Sequence, residues 1–494
     1  MNNLKNFGFK HKCGILLSVS SLPSKYGIGN FGKSAYEFVD FLEETHQKCW
    51  QVLPLNPTSY GDSPYQSPAM LAGNPYFIDP DALYSEGLLT KEELKLCLNE
   101  SNRVDYGWLF NTRYNVLRLA FNRFTKNEEY NKFLEDTSSW IDDYSLFMSL
   151  KEKFNYSAWT TWPAEYKDIY SARKHISKFT NEMDFWKFIQ YEFYKQWNKL
   201  KEYANSKGIV IIGDMPIYVA HDSMDVWRNV SEFLLDEHFN PVVVAGCPPD
   251  GFTPDGQLWG NPIYNWDKME KDNFTWWIQR IKENFKLYDI LRIDHFRGFA
   301  GYYCIPAEDE NARRGKWNSA PGIKLFRTVK EKLPTAKIIA EDLGFITEDV
   351  RELLQDSGFP GMKILQFAFF DEDAEYLPRM YKSENCIVYT GSHDSDCTKT
   401  WCDNLYGETL ARFKKECPAA YVSEVYSLIN LAHTSIANLS VIPLQDYLEL
   451  TNDEGRMNTP STASGNWTYR VCNGYNNQEL IDKIKEITIR TKRG

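Results

Sequence analysis

Short apolar runs alternate with helix-like patterns along this chain. Several runs are rich in β-branched residues and nearly continuous, as expected of strands buried on both faces of a parallel sheet. Most of them are preceded by apolar residues at helical spacing. The pattern predicts an α/β fold in which eight parallel strands and their helices form a (β/α)8 TIM barrel. The predicted strands are Gly14–Val19, Trp50–Leu55, Ile209–Met215, Ile290–His295, Lys337–Asp342, Lys363–Phe369, Cys386–Thr390 and Leu439–Leu444.

Capping residues indicate where several helices begin and end. One long apolar stripe predicts a helix that ends before Gly208, because glycine readily adopts the left-handed conformation found after helices. Ser34 and Glu37 have the spacing of a capping box, and Thr347 is expected to cap a helix that runs through Leu354. The stripe consists of Phe185, Ile189, Phe193, Trp197 and Leu200.

The predicted strands are unevenly spaced, with the longest gap between the second and the third. The helical patterns in this gap are Lys91–Leu98, Trp108–Phe124 and Ile141–Phe154. We therefore expect residues 1–494 to form a single catalytic barrel with mainly helical insertions, the largest from about residue 80 to 205. Pro248–Tyr264 is rich in proline, glycine and aspartate, which predicts an active-site loop within residues 245–266.

Composition and charge exclude several classes of function. Apolar residues make up 43% of the chain and aromatic residues 15%, which suits a large core and apolar faces for sugar rings. The net charge is −11 without a basic block, so nucleic-acid binding is not expected. No apolar run reaches the roughly 18 residues of a membrane span, and the first residues lack a signal-peptide pattern. The ten cysteines form no CxxC pair, so reduced thiols in a cytoplasmic protein are expected.

Three of the predicted strands present an acidic residue at or shortly after their carboxyl ends: Asp294, Glu341 and Asp394. The carboxyl ends of barrel strands meet at one face, so these side chains can share a pocket. Arg292 points to the same side as Asp294 and should lower its pKa, whereas apolar surroundings should raise the pKa of Glu341. Such a set suits cleavage of a glycosidic bond, in which one carboxylate attacks, one carboxyl group donates a proton and a third steers the sugar.

Other polar and aromatic residues at the strand ends are candidates for substrate binding. His393 can donate a hydrogen bond to a sugar hydroxyl, Tyr60 and Asp62 lie on a polar loop, and Trp259 lies on a glycine- and proline-rich segment. Two alternatives stay open: an ion pair that only orders the barrel, and His-Asp pairs that bind a metal ion. Because HxH, HExxH and Cys/His clusters are absent, no metal site is predicted.

Sequence blocks over nearly the whole chain resemble one known family. Besides the three acidic blocks, they are Gly14–Leu17, Ser20–Pro23, Trp50–Leu55, Tyr60–Ser67, Gly73–Tyr76, Gly213–Val219, Cys247–Phe252, Gln257–Pro262, Leu444–Asp446, Arg456–Asn458 and Gly465–Trp467. In this order they resemble the 4-alpha-glucanotransferases, also called amylomaltases or disproportionating enzymes, of the α-amylase clan. The resemblance implies retaining transfer of α-1,4-glucan segments to the 4-hydroxyl of an acceptor glucan or glucose, through a covalent glucosyl-enzyme and without a cofactor.

The resemblance also implies a role for each matching position. Asp294 looks like the nucleophile, Glu341 like the acid/base, and Asp394 like the carboxylate that stabilises the transition state. The implied substrate-binding residues are Tyr60, Asp62, Asp214, Phe252, Trp259, Arg292 and His393.

Two other functions compete with this interpretation. An α-glucan hydrolase would use the same intermediate but give it to water, and a non-catalytic glucan-binding protein would bind without turnover. The expected partners are α-1,4-glucans, namely maltooligosaccharides and starch or glycogen fragments, with glucose as an acceptor. Neither nucleic acid nor a membrane is an expected partner.

Overall fold

The computed structural model describes residues 3–59, 61–249, 253–344, 346–417 and 423–494. Its strands lie in two sheets, one of eight strands and one of four. In chain order the strands are β1 (Lys12–Leu16), β2 (Cys49–Gln51), β3 (Val210–Met215), β4 (Val243–Cys247), β5 (Gln257–Pro262), β6 (Ile290–Ile293), β7 (Gly301–Pro306), β8 (Lys316–Ser319), β9 (Ile338–Ala340), β10 (Gly361–Ile364), β11 (Cys386–Tyr389) and β12 (Leu439–Pro443).

The larger sheet is parallel throughout, in the order β10-β11-β12-β1-β2-β3-β6-β9. Its two end strands meet, because the Ala340 N–H donates to the Pro360 carbonyl at 3.0 Å and the Met362 N–H donates to Asp342 Oδ1 at 2.6 Å. A Cβ atom on Gly361 would lie 2.5 Å from the Asp342 carboxylate, so this seam requires glycine. The sheet is therefore a closed (β/α)8 barrel, and all eight predicted barrel strands are confirmed with shifted ends.

The α-helices surround the barrel and fill the gap between β2 and β3. In chain order they are α1 (Lys33–Glu44), α2 (Pro80–Ser85), α3 (Lys91–Leu94), α4 (Tyr106–Phe121), α5 (Glu128–Asp136), α6 (Ile141–Lys153), α7 (Ala164–Lys167), α8 (Ile169–Arg173), α9 (Thr180–Ser206), α10 (Met224–Arg228), α11 (Trp266–Lys271), α12 (Thr275–Leu287), α13 (Gly322–Lys332), α14 (Glu348–Ser357), α15 (Thr398–Asp403), α16 (Gly407–Glu416), α17 (Glu424–Thr434), α18 (Leu444–Tyr447), α19 (Asn452–Gly455) and α20 (Gln478–Arg490).

The long helix α9 forms as its apolar stripe predicts. All five stripe residues are buried, since this face packs against the rest of the core. Trp197 also donates from Nε1 to the carbonyl of Leu287 at 2.9 Å, which ties α9 to the end of α12. Gly208 has a φ of +75°, so the chain leaves the helix in a left-handed turn and enters β3. Among the helices of the described residues, none combines the length and the apolar character needed to cross a bilayer.

The smaller sheet is antiparallel, in the order β5-β4-β7-β8, and it was not predicted. The prediction that Pro248–Tyr264 is loop throughout is wrong for β5, which pairs with β4. Its sequence contains Gly260 and Pro262, which disfavour strands, so only the pairing with β4 makes this segment extended. Because β4 and β5 follow β3, and β7 and β8 follow β6, this sheet lies beside the carboxyl ends of those two barrel strands.

Candidate active site

Four acidic residues lie at the carboxyl ends of the barrel strands. Asp214 is near the end of β3, Asp294 directly follows β6, and Glu341 directly follows β9. These three strands are neighbours in the sheet, so the three side chains share one part of the rim. Asp394 follows β11, which lies across the barrel seam from β9.

Arg292 joins two of these carboxylates. Its Nη1 donates to both oxygens of Asp214, at 2.6 and 2.7 Å, and to Oδ1 of Asp294 at 3.1 Å. Arg292 and Asp214 face each other in register across β6 and β3. The side chains of Arg292 and Asp214 are 4% and 0% exposed, whereas that of Asp294 is 26% exposed. Asp214 therefore balances the buried arginine, and Asp294 is the carboxylate that a substrate can reach.

The pKa of Asp294 differs from the sequence-based expectation. Burial raises it to about 6, and although Arg292 acts to lower it, the charges of Asp214 and Asp394 add to the rise. The expectation that Arg292 keeps this pKa low is wrong, because burial outweighs the arginine, whose charge Asp214 also shares. A carboxyl with this pKa is still mostly ionised at pH 7, as a nucleophile must be.

Glu341 is held by two backbone groups in the same pocket. The His295 N–H donates to Oε2 at 2.6 Å and the Leu343 N–H donates to Oε1 at 2.9 Å. Burial raises the pKa of Glu341 to about 8, helped by the charge of Asp294 and opposed by Arg292 and the two N–H groups. The rise agrees with the expectation from its apolar strand. At neutral pH Glu341 holds a proton that it can donate.

Asp394 is contacted by a residue on each side, and its pKa is shifted in the opposite direction from those of Asp294 and Glu341. His393 Nε2 lies 3.3 Å from Oδ2, and Asn458 Nδ2 donates to Oδ1 at 2.6 Å. Burial acts to raise the pKa of Asp394, but His393, Asn458 and Arg292 outweigh it and lower the pKa to about 2. Burial likewise acts to lower the pKa of His393, but the charge of Asp394 outweighs it and raises the pKa. Asp394 is therefore ionised throughout the neutral range.

Tyr65 connects the Asp214 group with the His393 group. Its hydroxyl donates to Asp214 Oδ2 at 2.8 Å, and its ring stacks on the His393 ring with centroids 5.2 Å apart. Trp467 packs against Tyr65 with ring centroids 5.6 Å apart. The sequence predicted no site role for Asn458 or Trp467. The signal that could have identified them is that each lies in a block of the family resemblance.

Trp259 lies on β5 beside His295. The two rings meet edge to face with centroids 4.9 Å apart, and the indole Nε1 donates to Gln257 Oε1 at 3.0 Å. Because the His295 N–H binds Glu341, Trp259 belongs to the Glu341 side of the pocket. The indole is half-buried, so part of its face is open to a ligand.

Phe367 is an aromatic residue of the rim that the sequence did not single out. It ends a short 3-10 turn after β10, where the prediction placed strand, and it is 39% exposed. Its ring meets that of Tyr376 with centroids 5.8 Å apart. Burial raises the pKa of Tyr376, and the charge of nearby Glu341 contributes. Phe367 and Tyr376 therefore add apolar surface near Glu341.

Of the remaining predicted site residues, only Asp62 lies within the described part of the chain. Asp62 is half-buried with a φ of +60°, and its N–H donates to the Ser59 carbonyl at 3.0 Å. Burial and the charge of Asp105 raise its pKa. Across the described ranges, no hydrogen bond links Asp62 to Asp214, Asp294, Glu341 or Asp394. Tyr60 and Phe252 lie outside the described residues.

The chain is similar in both sequence and structure to known 4-alpha-glucanotransferases. The glycoside hydrolase family 77 model, described as 4-alpha-glucanotransferase, matches residues 17–474. The chain is 49% identical over 488 residues to a 4-alpha-glucanotransferase from Clostridium butyricum, a match that covers 96% of this chain and 99% of the relative. It is 44% identical over 476 residues to one from Streptococcus pneumoniae, with 94% and 93% covered.

A solved structure shows the same likeness. The amylomaltase from Streptococcus agalactiae in complex with acarbose superposes with a TM-score of 0.94 at 42% identity, covering 98% of this chain and 99% of that chain. The similarity thus extends over the barrel, the helices between β2 and β3, and the smaller sheet.

Proposed function

Because this chain belongs to the 4-alpha-glucanotransferase family, we propose that its barrel pocket transfers α-1,4-glucan segments to the 4-hydroxyl of an acceptor glucan or glucose. The observation that carries the proposal is the pair formed by Asp294 and Glu341. Their surroundings raise the pKa values to about 6 and about 8. One carboxyl is thus ionised and the other protonated at neutral pH, as a nucleophile and a general acid require.

In the first step, Asp294 attacks the anomeric carbon of the donor glucan. Glu341 gives its proton to the glycosidic oxygen, so the bond between C1 and that oxygen breaks as the bond to the Asp294 carboxylate forms. The fragment on the reducing side of the cleaved bond leaves with a free 4-hydroxyl group. The donor segment stays on the enzyme as a β-linked glucosyl ester.

In the second step, Glu341 acts as a base. It removes the proton from the 4-hydroxyl of the acceptor, and the acceptor oxygen attacks C1 as the ester bond to Asp294 breaks. Two inversions at C1 restore the α linkage. The step returns both carboxyl groups to their starting protonation states, so the cycle requires no cofactor.

The surrounding residues serve binding and electrostatics. Asp394 is a fixed negative charge that can accept hydrogen bonds from sugar hydroxyls and stabilise positive charge at the reacting ring. His393 presents a donor next to it. Asp214 and Arg292 hold Asp294 at the rim, since Arg292 contacts both carboxylates.

Water competes with the acceptor for the glucosyl-enzyme, so hydrolysis is the main alternative. A bound sugar wins only if it is held in place, because positioning supplies a large effective concentration. Trp259, Phe367 and Tyr376 offer apolar faces near Glu341, the residue that must contact the acceptor oxygen. This supports transfer over hydrolysis, with maltooligosaccharides and starch or glycogen fragments as substrates.

Incubation with maltotriose tests the proposal. A ladder of longer and shorter glucans is expected from the purified protein, and none from Asp294→Asn. Formation of glucose and maltose without longer glucans would show that the protein hydrolyses maltotriose and does not transfer glucan segments. Unchanged maltotriose, with binding detected by calorimetry, would leave only a glucan-binding role.

We also propose a cytoplasmic location and a single catalytic unit over residues 1–494, with an insertion from about residue 80 to 205. All ten cysteines are free thiols, and most are buried, which supports a reducing compartment. Cell fractionation checks the location. Limited proteolysis checks the unit, since one folded body should resist cleavage within its core.

A further inference from the structure

His295 directly follows Asp294 and has an unusual backbone conformation. Its φ and ψ are 47° and 50°, in the left-handed region that residues other than glycine seldom adopt. Such strain is concentrated at functional sites. The conformation has a visible result here, because it aims the His295 N–H at Glu341 Oε2, 2.6 Å away. One turn thus presents Asp294 and fixes Glu341.

The His295 side chain has no such task within the protein. The ring is half-buried and packs edge to face with Trp259. Within residues 3–59, 61–249, 253–344, 346–417 and 423–494, neither ring nitrogen has a hydrogen-bond partner. Both nitrogens are accessible at the edge of the pocket, so a hydroxyl group of a bound sugar can pair with them.

The surroundings also determine the protonation state of the His295 imidazole. Burial, together with the charge of Arg297, lowers the pKa of His295 to about 3. The ring is therefore uncharged at neutral pH. A neutral imidazole presents one N–H donor and one acceptor nitrogen, which complements a hydroxyl group.

We propose that the His295 ring binds a hydroxyl of the sugar on the Glu341 side of the pocket, which is the leaving sugar in the first step and the acceptor in the second. The inference rests on the proposed transfer reaction and adds a residue that selects the acceptor. The contacts place the ring on this side, since the backbone N–H of His295 donates to Glu341 and the ring packs edge to face with Trp259. In the described part of the chain, no hydrogen bond or ring contact joins His295 to His393 or Asp394.

The test removes the ring and keeps the backbone. Glycine and asparagine both tolerate the left-handed conformation, so His295→Gly and His295→Asn retain the N–H that holds Glu341. His46 is a matched control, because it is also half-buried and left-handed, with a φ of +61°, but lies between α1 and β2 at the other end of the barrel. His46→Asn should leave all rates unchanged.

The donor in this test is α-maltosyl fluoride, whose leaving group needs no sugar site on the Glu341 side. Fluoride release in the first turnover then reports on attack by Asp294, and transfer to glucose at varied concentration gives the acceptor KM. In both His295 variants the acceptor KM should rise roughly three- to tenfold, as expected for the loss of one net hydrogen bond. Fluoride release should stay within about threefold of the unmodified enzyme. An unchanged acceptor KM, or an equal loss of both reactions, overturns the inference.

Deoxyglucose acceptors give a second readout that a purely structural role would not change. With the unmodified enzyme, removal of one hydroxyl other than the 4-hydroxyl should raise the acceptor KM, and this penalty should disappear in His295→Asn. The same penalty in both proteins overturns the proposal, and so does the absence of any penalty in the unmodified enzyme. Fluoride release with no sugar transfer at all would instead contradict the proposed function.

Discussion

Asn458 donates a hydrogen bond from Nδ2 to Oδ1 of Asp394 at 2.6 Å. The N–H of the same residue donates to the His393 carbonyl at 3.1 Å. Asn458 thus holds both members of the His393–Asp394 pair from a segment that follows α19. The orientation of Asp394 in the pocket depends on this distant residue.

Asn458→Ala should therefore lower kcat by about 10- to 100-fold, since a hydrogen bond to a charged group contributes roughly 1.5–3 kcal/mol. Steady-state kinetics with maltotriose measures the effect. Asn473, an exposed residue of the same C-terminal region, provides the control, and Asn473→Ala should be neutral. Equal rates for Asn458→Ala and the unmodified enzyme would show that Asp394 does not need this support.

Variants of Asp294 and Glu341 should differ in their activity on a donor whose leaving group needs no proton. Asp294→Asn should lose several orders of magnitude in rate with both maltotriose and α-maltosyl fluoride, because an amide cannot form the ester. Glu341→Gln should lose about 10²–10⁴-fold with maltotriose but keep the first fluoride release, since fluoride leaves unprotonated. Rapid-quench measurement of the first fluoride release distinguishes the two variants. Fluoride release at the normal rate from Asp294→Asn would assign the nucleophile elsewhere.

The pH profile of kcat/KM should be bell-shaped. Asp294 must be ionised, so activity should fall as the pH drops through its pKa of about 6. Glu341 must be protonated, so activity should fall as the pH rises through its pKa of about 8. The two apparent values belong to the pair, because each charge affects the other. With α-maltosyl fluoride, Glu341→Gln should lose the alkaline limb, and an alkaline limb that persists would contradict the acid role.

Trp259→Ala should shift the balance from transfer towards hydrolysis. Loss of the indole face weakens acceptor binding by about 1–3 kcal/mol, the range for a large packed side chain, while Asp294 and Glu341 still form the intermediate. The ratio of glucose release to ladder formation measures the shift. Leu258→Ala is the control, since Leu258 is exposed on the opposite face of β5. An unchanged ratio in Trp259→Ala would assign the indole to packing alone.

Activity should survive exhaustive treatment with EDTA. The proposed steps use carboxyl groups for attack and proton transfer, and in the part of the chain that the structure describes no three His, Cys, Asp or Glu side chains are grouped to hold a metal ion. The assay is ladder formation before and after chelation. Activity lost to EDTA and restored by one particular metal would contradict the prediction.

The sequence by itself determined the barrel strands, the buried stripe of α9 and the three acidic strand ends, because each of these is a local pattern. An apolar run of four to six residues can be recognised without knowledge of its neighbours. The sequence predicted the ends of helices less accurately than it predicted the strands. α1 begins at Lys33 after Gly32, without a side-chain cap, so the predicted capping box of Ser34 and Glu37 is wrong. Propensity at a helix end is a small term that neighbouring contacts override.

Only the tertiary structure decided the smaller sheet and the electrostatics of the site. β5 is a strand because β4 pairs with it, against the preference of its own Gly260 and Pro262. The pKa of Asp294 rises because folding buries its carboxyl group and brings Asp214, from another strand, close to it, and together these outweigh Arg292. Asn458 reaches Asp394, and the His295 N–H reaches Glu341, only after the barrel has closed. Hydrogen bonds and charges act through space over a few ångströms, so residues far apart in the chain determine these properties once folding brings them together.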